Sequence, residues 1–332
     1  MIISRTPFRV SFFGGGTDYP AWLEQDKGAV LATTIDKYCY ISCRWLPPFF
    51  PHRHRIVYSQ IETVRSIDEI SHNAVRETLR FLEIDDGVEI HHDGDLPART
   101  GLGSSSSFTV GLLNALYALK GEIVSKARLA AEAIHIEQDL IGENVGSQDQ
   151  TVTAHGGLAR IDFQKGAQAV VHQLPLASER RDELVSHLMM FFTGFARTAS
   201  QIAAEQVRNI PALGRELRAM YGMVDEAVEI LAGGGDLREF GRLLHEGWKL
   251  KRGLSTRVTN DGIDEMYETA LGAGAIGGKL LGAGGGGFFL LMVEPDLQER
   301  VTSALAGFLR VPFKFDDLGT QIVVYQPEDH VR

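Results

Sequence analysis

The chain has 332 residues, 44% hydrophobic and 23% charged, an ordinary globular composition long enough for two domains. Its net charge of −10 argues against nucleic acid as a main partner, and no apolar run approaches the ~18 residues of a membrane span. Only two cysteines occur, Cys39 and Cys43 in an apolar strand-like segment, which excludes a disulfide framework or a complete zinc site and reads as buried thiols. The N-terminus lacks a charged segment followed by an apolar one, so a cytoplasmic location is expected. Glycine is the unusual count, 36, gathered at 14–16, 101–103, 233–235 and 282–287.

In chain order, residues 7–13 alternate as a strand, with Phe8, Val10 and Phe12 on one face and Arg9 and Ser11 on the other. Gly14-Gly15-Gly16 ends it. Residues 28–44 read as strand, 47–54 as loop and 55–65 as strand. The spacing of Ile70, Ala74, Val75, Leu79 and Leu82 predicts a helix over 68–82, and a short strand follows at 88–92. A helix is predicted from about Ser105 to Leu119. Ser125 caps another running to about Ile141, and 142–147 breaks that pattern. Strands are predicted at 155–163 and 168–174, and the charged run 179–183 suggests a domain boundary. Beyond it come a buried strand at 188–193 and helices at 197–208, 211–232, 236–252 and 261–273. The chain closes with strand, glycine turn and strand over 279–293, a helix near 296–307, and strands near 311–315 and 321–325. Strands and helices mix without strict alternation, which favours α+β layers. The expected domains are 1–178 and 179–332.

One stretch stands out: Leu96 to Phe108, where Gly101 and Gly103 are followed by Ser104, Ser105, Ser106 and Ser107 and then an apolar helix. Glycines let backbone approach a ligand, and the N–H groups of a helix's first turn form an anion site. Alone, the stretch reads equally as a plain helix-capping loop. The common phosphate motifs fail: no G-x-x-x-x-G-K-[ST] exists, and the G-x-G-x-x-G at Gly282, Gly284 and Gly287 runs into a strand rather than a helix. Three further segments carry chemistry: Pro7–Tyr19, with Arg9 before a glycine turn and Asp18 after it; Glu137–Gln150; and Lys279–Phe289. Each acid has a plain alternative: Asp149 and Asp18 as caps, Glu137 as a solvated helix residue, and Arg9 as an exposed strand residue.

Together these motifs resemble the GHMP kinase superfamily, in order and over essentially the whole chain. Pro-Phe-Arg-Val-Ser-Phe-Phe-Gly-Gly-Gly-Thr-Asp-Tyr-Pro and Lys-Leu-Leu-Gly-Ala-Gly-Gly-Gly-Gly-Phe look like the branch of D-glycero-D-manno-heptose 7-phosphate kinases and related sugar kinases. Most members carry Gly-Glu-His where this chain has Gly14-Gly15-Gly16, which puts a galactose-like pose in doubt. The resemblance implies a two-domain fold, with a ribosomal protein S5 domain 2-like N-terminal domain and a ferredoxin-like C-terminal domain. It implies ATP as donor and a sugar phosphate as acceptor, with Mg²⁺, without nucleic-acid or membrane partners, and with a homodimer among the expected assemblies. Pro97, Gly101, Leu102, Gly103 and Ser104 to Ser107 would bind ATP. Ser105 and Glu137 would ligate Mg²⁺ through hard oxygens. Asp149 would be the base and Arg9 its cationic partner at the transferring charge. Gly15, Gly16, Asp18, Gly146, Asp149, Gly284 and Gly285 would contact the sugar, and a distal phosphate would need a basic pocket, for which Arg197, Lys249, Lys251 and Arg252 are candidates, Arg197 and Lys249 foremost. Other sugar-1-kinases, acting on fucose or an unphosphorylated hexose, and a non-catalytic ligand-binding paralogue stand as alternatives.

Overall fold

The computed structural model describes residues 1–98, 100–194 and 199–327. In chain order its strands are β1 Ile2–Phe13, β2 Gly28–Trp45, β3 His54–Val57, β4 Ile61–Val64, β5 Val88–Gly94, β6 Ala159–Phe163, β7 Val170–Gln173, β8 Leu188–Gly194, β9 Ala275–Leu280, β10 Gly287–Val293, β11 Leu309–Arg310, β12 Phe315–Asp316 and β13 Gln321–Tyr325. The β-branched and aromatic runs read from the sequence lie in β1 and β2, which pair antiparallel from Ile2–Cys43 to Phe13–Leu31. The sheet they organise runs β13-β1-β2-β5-β3-β4, with β6 and β12 also on β2 and β7 on β6. A second, antiparallel sheet runs β11-β8-β10-β9.

Helix Ser104–Leu119 is apolar nearly all round and is buried against β1 and β2. Gly111 permits its close approach, since a Cβ there would lie 2.7 Å from the Thr6 hydroxyl. On the second sheet, helix Leu237–Arg252 lies against β9; a Cβ on Gly277 would lie 2.0 Å from the Gly241 carbonyl oxygen. Phe12 and Phe13, at the end of β1, meet Phe240 of that helix edge-on, with ring centroids 5.4 and 5.1 Å apart. One apolar core therefore spans both sheets.

The structure revises several expectations. The segment 179–332 is not self-contained, because β12 pairs with β2 and β13 with β1. The charged run at 179–183, where a domain boundary was expected, lies within helix Ser178–His187. The strand expected over 55–65 is two short strands paired as a hairpin. The helix predicted from 68 begins at Asn73, where the His72 ring nitrogen accepts from the Val75 N–H. Helix Gln148–His155 was unforeseen: it is eight residues long, bracketed by Gly146 and Gly156, and too short to show a periodic apolar face. Cys39 and Cys43 are free and buried, and burial pushes both thiols up. Among the described residues no helix is long and apolar enough to cross a membrane.

Candidate active site

The glycines of the opening loop are required by its geometry. Gly101 and Gly103 have φ of +82° and +72°, the left-handed region that side chains disfavour. Gly103 is the N-cap of helix Ser104–Leu119. A Cβ on Gly101 would lie 2.5 Å from the Leu281 carbonyl oxygen, and one on Gly282 would lie 2.3 Å from the Gly101 Cα, so this loop and the 282–287 glycine turn meet backbone to backbone. The four serines divide by helical phase. Ser104 and Ser105 border a cleft of about 850 Å³, whereas Ser106 and Ser107 point inward. The Ser107 hydroxyl is spent on the Pro7 and Gly103 carbonyls, at 3.0 Å each. Leu102 is core, and Pro97 is exposed, with its carbonyl accepting from the Thr100 hydroxyl at 2.8 Å.

Arg9 leaves β1 directly beneath this loop. Its N–H donates to the Leu102 carbonyl at 3.0 Å and its Nη1 to the Gly101 carbonyl at 2.7 Å. The rest of the guanidinium forms a fork on Asp149: Nε to Oδ1 at 2.7 Å and Nη2 to Oδ2 at 2.6 Å. Arg9 is 4% exposed and Asp149 24%, so the pair opens to the cleft through the carboxylate. A Cβ on Gly103 would lie 3.1 Å from Arg9 Cγ and 3.2 Å from Asp149 Oδ2, which places the pair against the loop.

Asp18 borders the same cleft but is fully buried. It accepts from the Gly16 N–H at 3.0 Å, the Gln148 N–H at 3.1 Å and Gln148 Nε2 at 3.2 Å. Burial above all, and then the Asp149 charge, raise its pKa, against the lowering by these backbone donors. Through these bonds Asp18 braces the Gly15–Gly16 turn to the helix carrying Asp149. Gly146 is glycine for that brace, because a Cβ there would lie 1.9 Å from Asp18 Oδ2. Gly15, Gly16 and Gly146 line the cleft; Gly284 and Gly285 do not. Gly285 donates to the Val258 carbonyl at 2.9 Å instead, and Gly282 and Ala283 take the cleft positions.

Glu137 sits on a π-helical turn, Ile136–Leu140, where a regular helix was expected; such turns often mark functional sites. It is 1% exposed. Its Oε2 accepts from the Ser106 hydroxyl at 2.9 Å and Gln150 Nε2 at 2.6 Å, while Oε1 has no partner. Burial pushes its pKa up to about 7, only partly offset by the Ser106 and Gln150 hydrogen bonds. The serine that reaches Glu137 is therefore Ser106, with Ser105 on the cleft side. Among the described residues no three His, Cys, Asp or Glu side chains converge as a metal cluster.

Two cations complete the cleft, Lys251 and Lys279. Lys279 Nζ donates to the Phe12 carbonyl at 2.7 Å, and Lys251 Nζ to the Leu280 and Gly282 carbonyls at 2.6 and 2.5 Å. Of the sequence candidates on this helix, Lys249 is exposed and paired with Glu246 at 2.9 Å, whereas Lys251 borders the cleft. The helical phase separates them: Leu237, Phe240, Gly241, Leu244, Trp248 and Lys251 share the buried face. Arg197 lies outside the described residues.

A backbone anion site thus lies beside a cation-held carboxylate that faces a cleft large enough for a nucleotide and a small acceptor, an arrangement suited to phosphoryl transfer onto a hydroxyl. The family models for the GHMP kinases N-terminal and C-terminal domains match residues 69–157 and 203–310. A mevalonate kinase of Methanothermobacter thermautotrophicus is 30% identical over 65% of this chain and 71% of its own. The chain belongs to the GHMP kinases. The D-glycero-alpha-D-manno-heptose 7-phosphate kinase of Campylobacter jejuni is 26% identical to this GHMP kinase over 92% of the chain and 93% of its own length. The crystal structure of a D-glycero-D-manno-heptose 1-phosphate kinase from Bacteroides thetaiotaomicron superposes with a TM-score of 0.79 at 24% identity, covering 98% of this chain and 100% of that one. Lactococcus lactis galactokinase, complexed with galactose, superposes at 0.73 and 19% over 97% and 94%. The α+β fold of this GHMP kinase is theirs, and the chain is a phosphotransferase with an alcohol group as acceptor.

Proposed function

We propose that this GHMP kinase transfers the terminal phosphoryl group of ATP to the anomeric hydroxyl of D-glycero-D-manno-heptose 7-phosphate. The product would be the 1,7-bisphosphate, made in the cytoplasm for surface-polysaccharide synthesis. The observation that carries the reaction is the Arg9–Asp149 fork pressed against the glycine loop. The hydroxyl oxygen attacks the terminal phosphorus, the bond to the bridging oxygen of ADP breaks, and Asp149 takes the hydroxyl proton. Arg9 holds both carboxylate oxygens in position and adds positive charge beside the transferring group. The first-turn N–H groups at Ser104 and Ser105 receive the phosphates.

Mg²⁺ fits the residues present. Glu137 is a buried carboxylate with one oxygen lacking a partner, beside the Ser106 hydroxyl, both hard oxygen donors, and Ser105 follows on the cleft side. Ser105 and Glu137 would hold the ion, which supplies charge neutralisation on the phosphates. The heptose assignment is supported by the Campylobacter relative, matched over nearly its full length, and by Gly14-Gly15-Gly16. A coupled ADP-release assay across a sugar panel tests it. Turnover is expected on heptose 7-phosphate; turnover only on sugars lacking the 7-phosphate refutes the heptose assignment, and no turnover on any sugar refutes the kinase reading.

A further inference from the structure

Apart from Arg9, which is paired with Asp149, the cations of the cleft stand on a different wall from the acids. Asp18, Glu143 and Asp149 lie on the wall formed by the Gly15–Tyr19 turn and the 142–149 segment. Lys251 and Lys279 lie on the wall formed by the second sheet and its helix, and are only 8% and 7% exposed. Among the described residues neither lysine has a carboxylate within ion-pair distance. Each is held by main-chain carbonyls alone. Burying an ammonium without a counter-charge is costly, and here two such groups and Arg9 repel one another. An ammonium carries three donors, so Lys279 has two left and Lys251 one. That combination is unfavourable in an empty cleft and favourable around an anion.

We propose that Lys251 and Lys279 grip the terminal phosphoryl group of the bound nucleotide, making them further catalytic residues of the transfer. Their anchors give the position. Lys251 is tied to the Gly282 carbonyl, and Gly282 touches Gly101 of the phosphate loop. Lys279 is tied to the Phe12 carbonyl, three residues along β1 from Arg9, whose guanidinium bridges that same loop to Asp149. Both ammonium groups therefore attach to the elements that flank the point of transfer. The acceptor's own phosphate would lie at the other end of a seven-carbon chain whose anomeric hydroxyl must meet Asp149. Burial, then the Arg9 charge, pushes the Lys279 pKa down to about 7, so an arriving phosphoryl group also holds the proton in place.

This inference rests on the kinase reading, and its test separates the two. ATP and ADP, each with MgCl₂, are titrated calorimetrically into wild-type protein and into Lys251→Met and Lys279→Met, without acceptor. The Kd ratio of ATP to ADP is expected to rise about tenfold or more in each variant, the loss appropriate to a hydrogen bond between charged groups, while ADP affinity stays within about threefold. Lys279→Arg keeps the charge and is expected to hold the ratio near wild type, which covers the case of a methionine variant that does not fold. An unchanged ratio overturns the proposal and leaves the lysines as clamps on the glycine turn. So does an unchanged ratio accompanied by a raised KM for the sugar phosphate, which would place them on the acceptor. Wild-type protein that binds neither nucleotide refutes the kinase reading itself.

Discussion

Glu137→Gln should make the metal-free protein more stable, and only at neutral and alkaline pH. In the folded protein the Glu137 pKa is raised from 4.5 to about 7 by burial. Between those values the folded protein holds a proton that the unfolded chain releases. Stability therefore falls as pH rises from 4.5 towards 7, and the deficit is complete above 7. At 1.36 kcal/mol per pKa unit, the deficit is ~3 kcal/mol. Unfolding entropy is about 2.1 cal/mol/K per residue, so over 332 residues this corresponds to a Tm shift of roughly 4 °C. Glutamine keeps the shape, and its oxygen can still accept from Ser106 and Gln150, but it carries no charge. The raised Asp18 and lowered Lys279 pKa values belong to both proteins and cancel in the difference. Calorimetric melts in EDTA from pH 5 to 8.5 should show the two proteins coinciding at pH 5 and the variant melting roughly 4 °C higher at pH 8.5. A gap independent of pH, or a wild type more stable at pH 8.5, would refute the burial argument. The same substitution removes the proposed magnesium ligand, so kinase activity should fall as stability rises.

Asp149→Asn should lower turnover by about 10²–10⁴-fold, the share of a general base, with nucleotide Kd within a few-fold; near-normal turnover would remove Asp149 from that role. Gly282→Ala should weaken ATP binding and stability together, because its φ is +71° and its Cβ would lie 2.3 Å from the Gly101 Cα. Left-handed strain alone costs about 1–2 kcal/mol, and a variant with unaltered melting and ATP Kd would disprove the loop-to-turn contact. Lys249→Ala should change stability by less than about 0.5 kcal/mol and leave KM for the sugar phosphate alone, since the Glu246 pair is a surface contact on the face away from the cleft. A raised KM would return Lys249 to the substrate site.

Much of this protein was legible locally. The long runs that became β1 and β2, the helix that begins at Ser104 and the strand–glycine–strand read over 279–293, which the fold extends back to Ala275, follow from periodicity and breakers within a few residues. The positive φ values at Gly101, Gly103 and Gly282 are what a glycine-marked turn predicts. The pairing of Arg9 with Asp149 came only through the motif resemblance, since nothing local joins residues 140 apart. Helix Gln148–His155 escaped because eight mostly polar residues carry no periodic signal, and burial of its Gln150, Thr151 and Thr153 depends on neighbours distant in the chain.

By itself, then, the sequence determined most element types and the glycine turns, because backbone sterics and side-chain period act over short stretches, and its motifs in order pointed to the family. Tertiary structure alone decided how those pieces are used. Helix phase against the sheet turned Ser106 rather than Ser105 to Glu137, and Lys251 rather than Lys249 into the cleft. Close packing tied Asp18 to Gly16 and Gln148, and chain closure returned β13 to β1. These outcomes depend on which surfaces meet, and each involves partners that only the folded chain brings within hydrogen-bond distance.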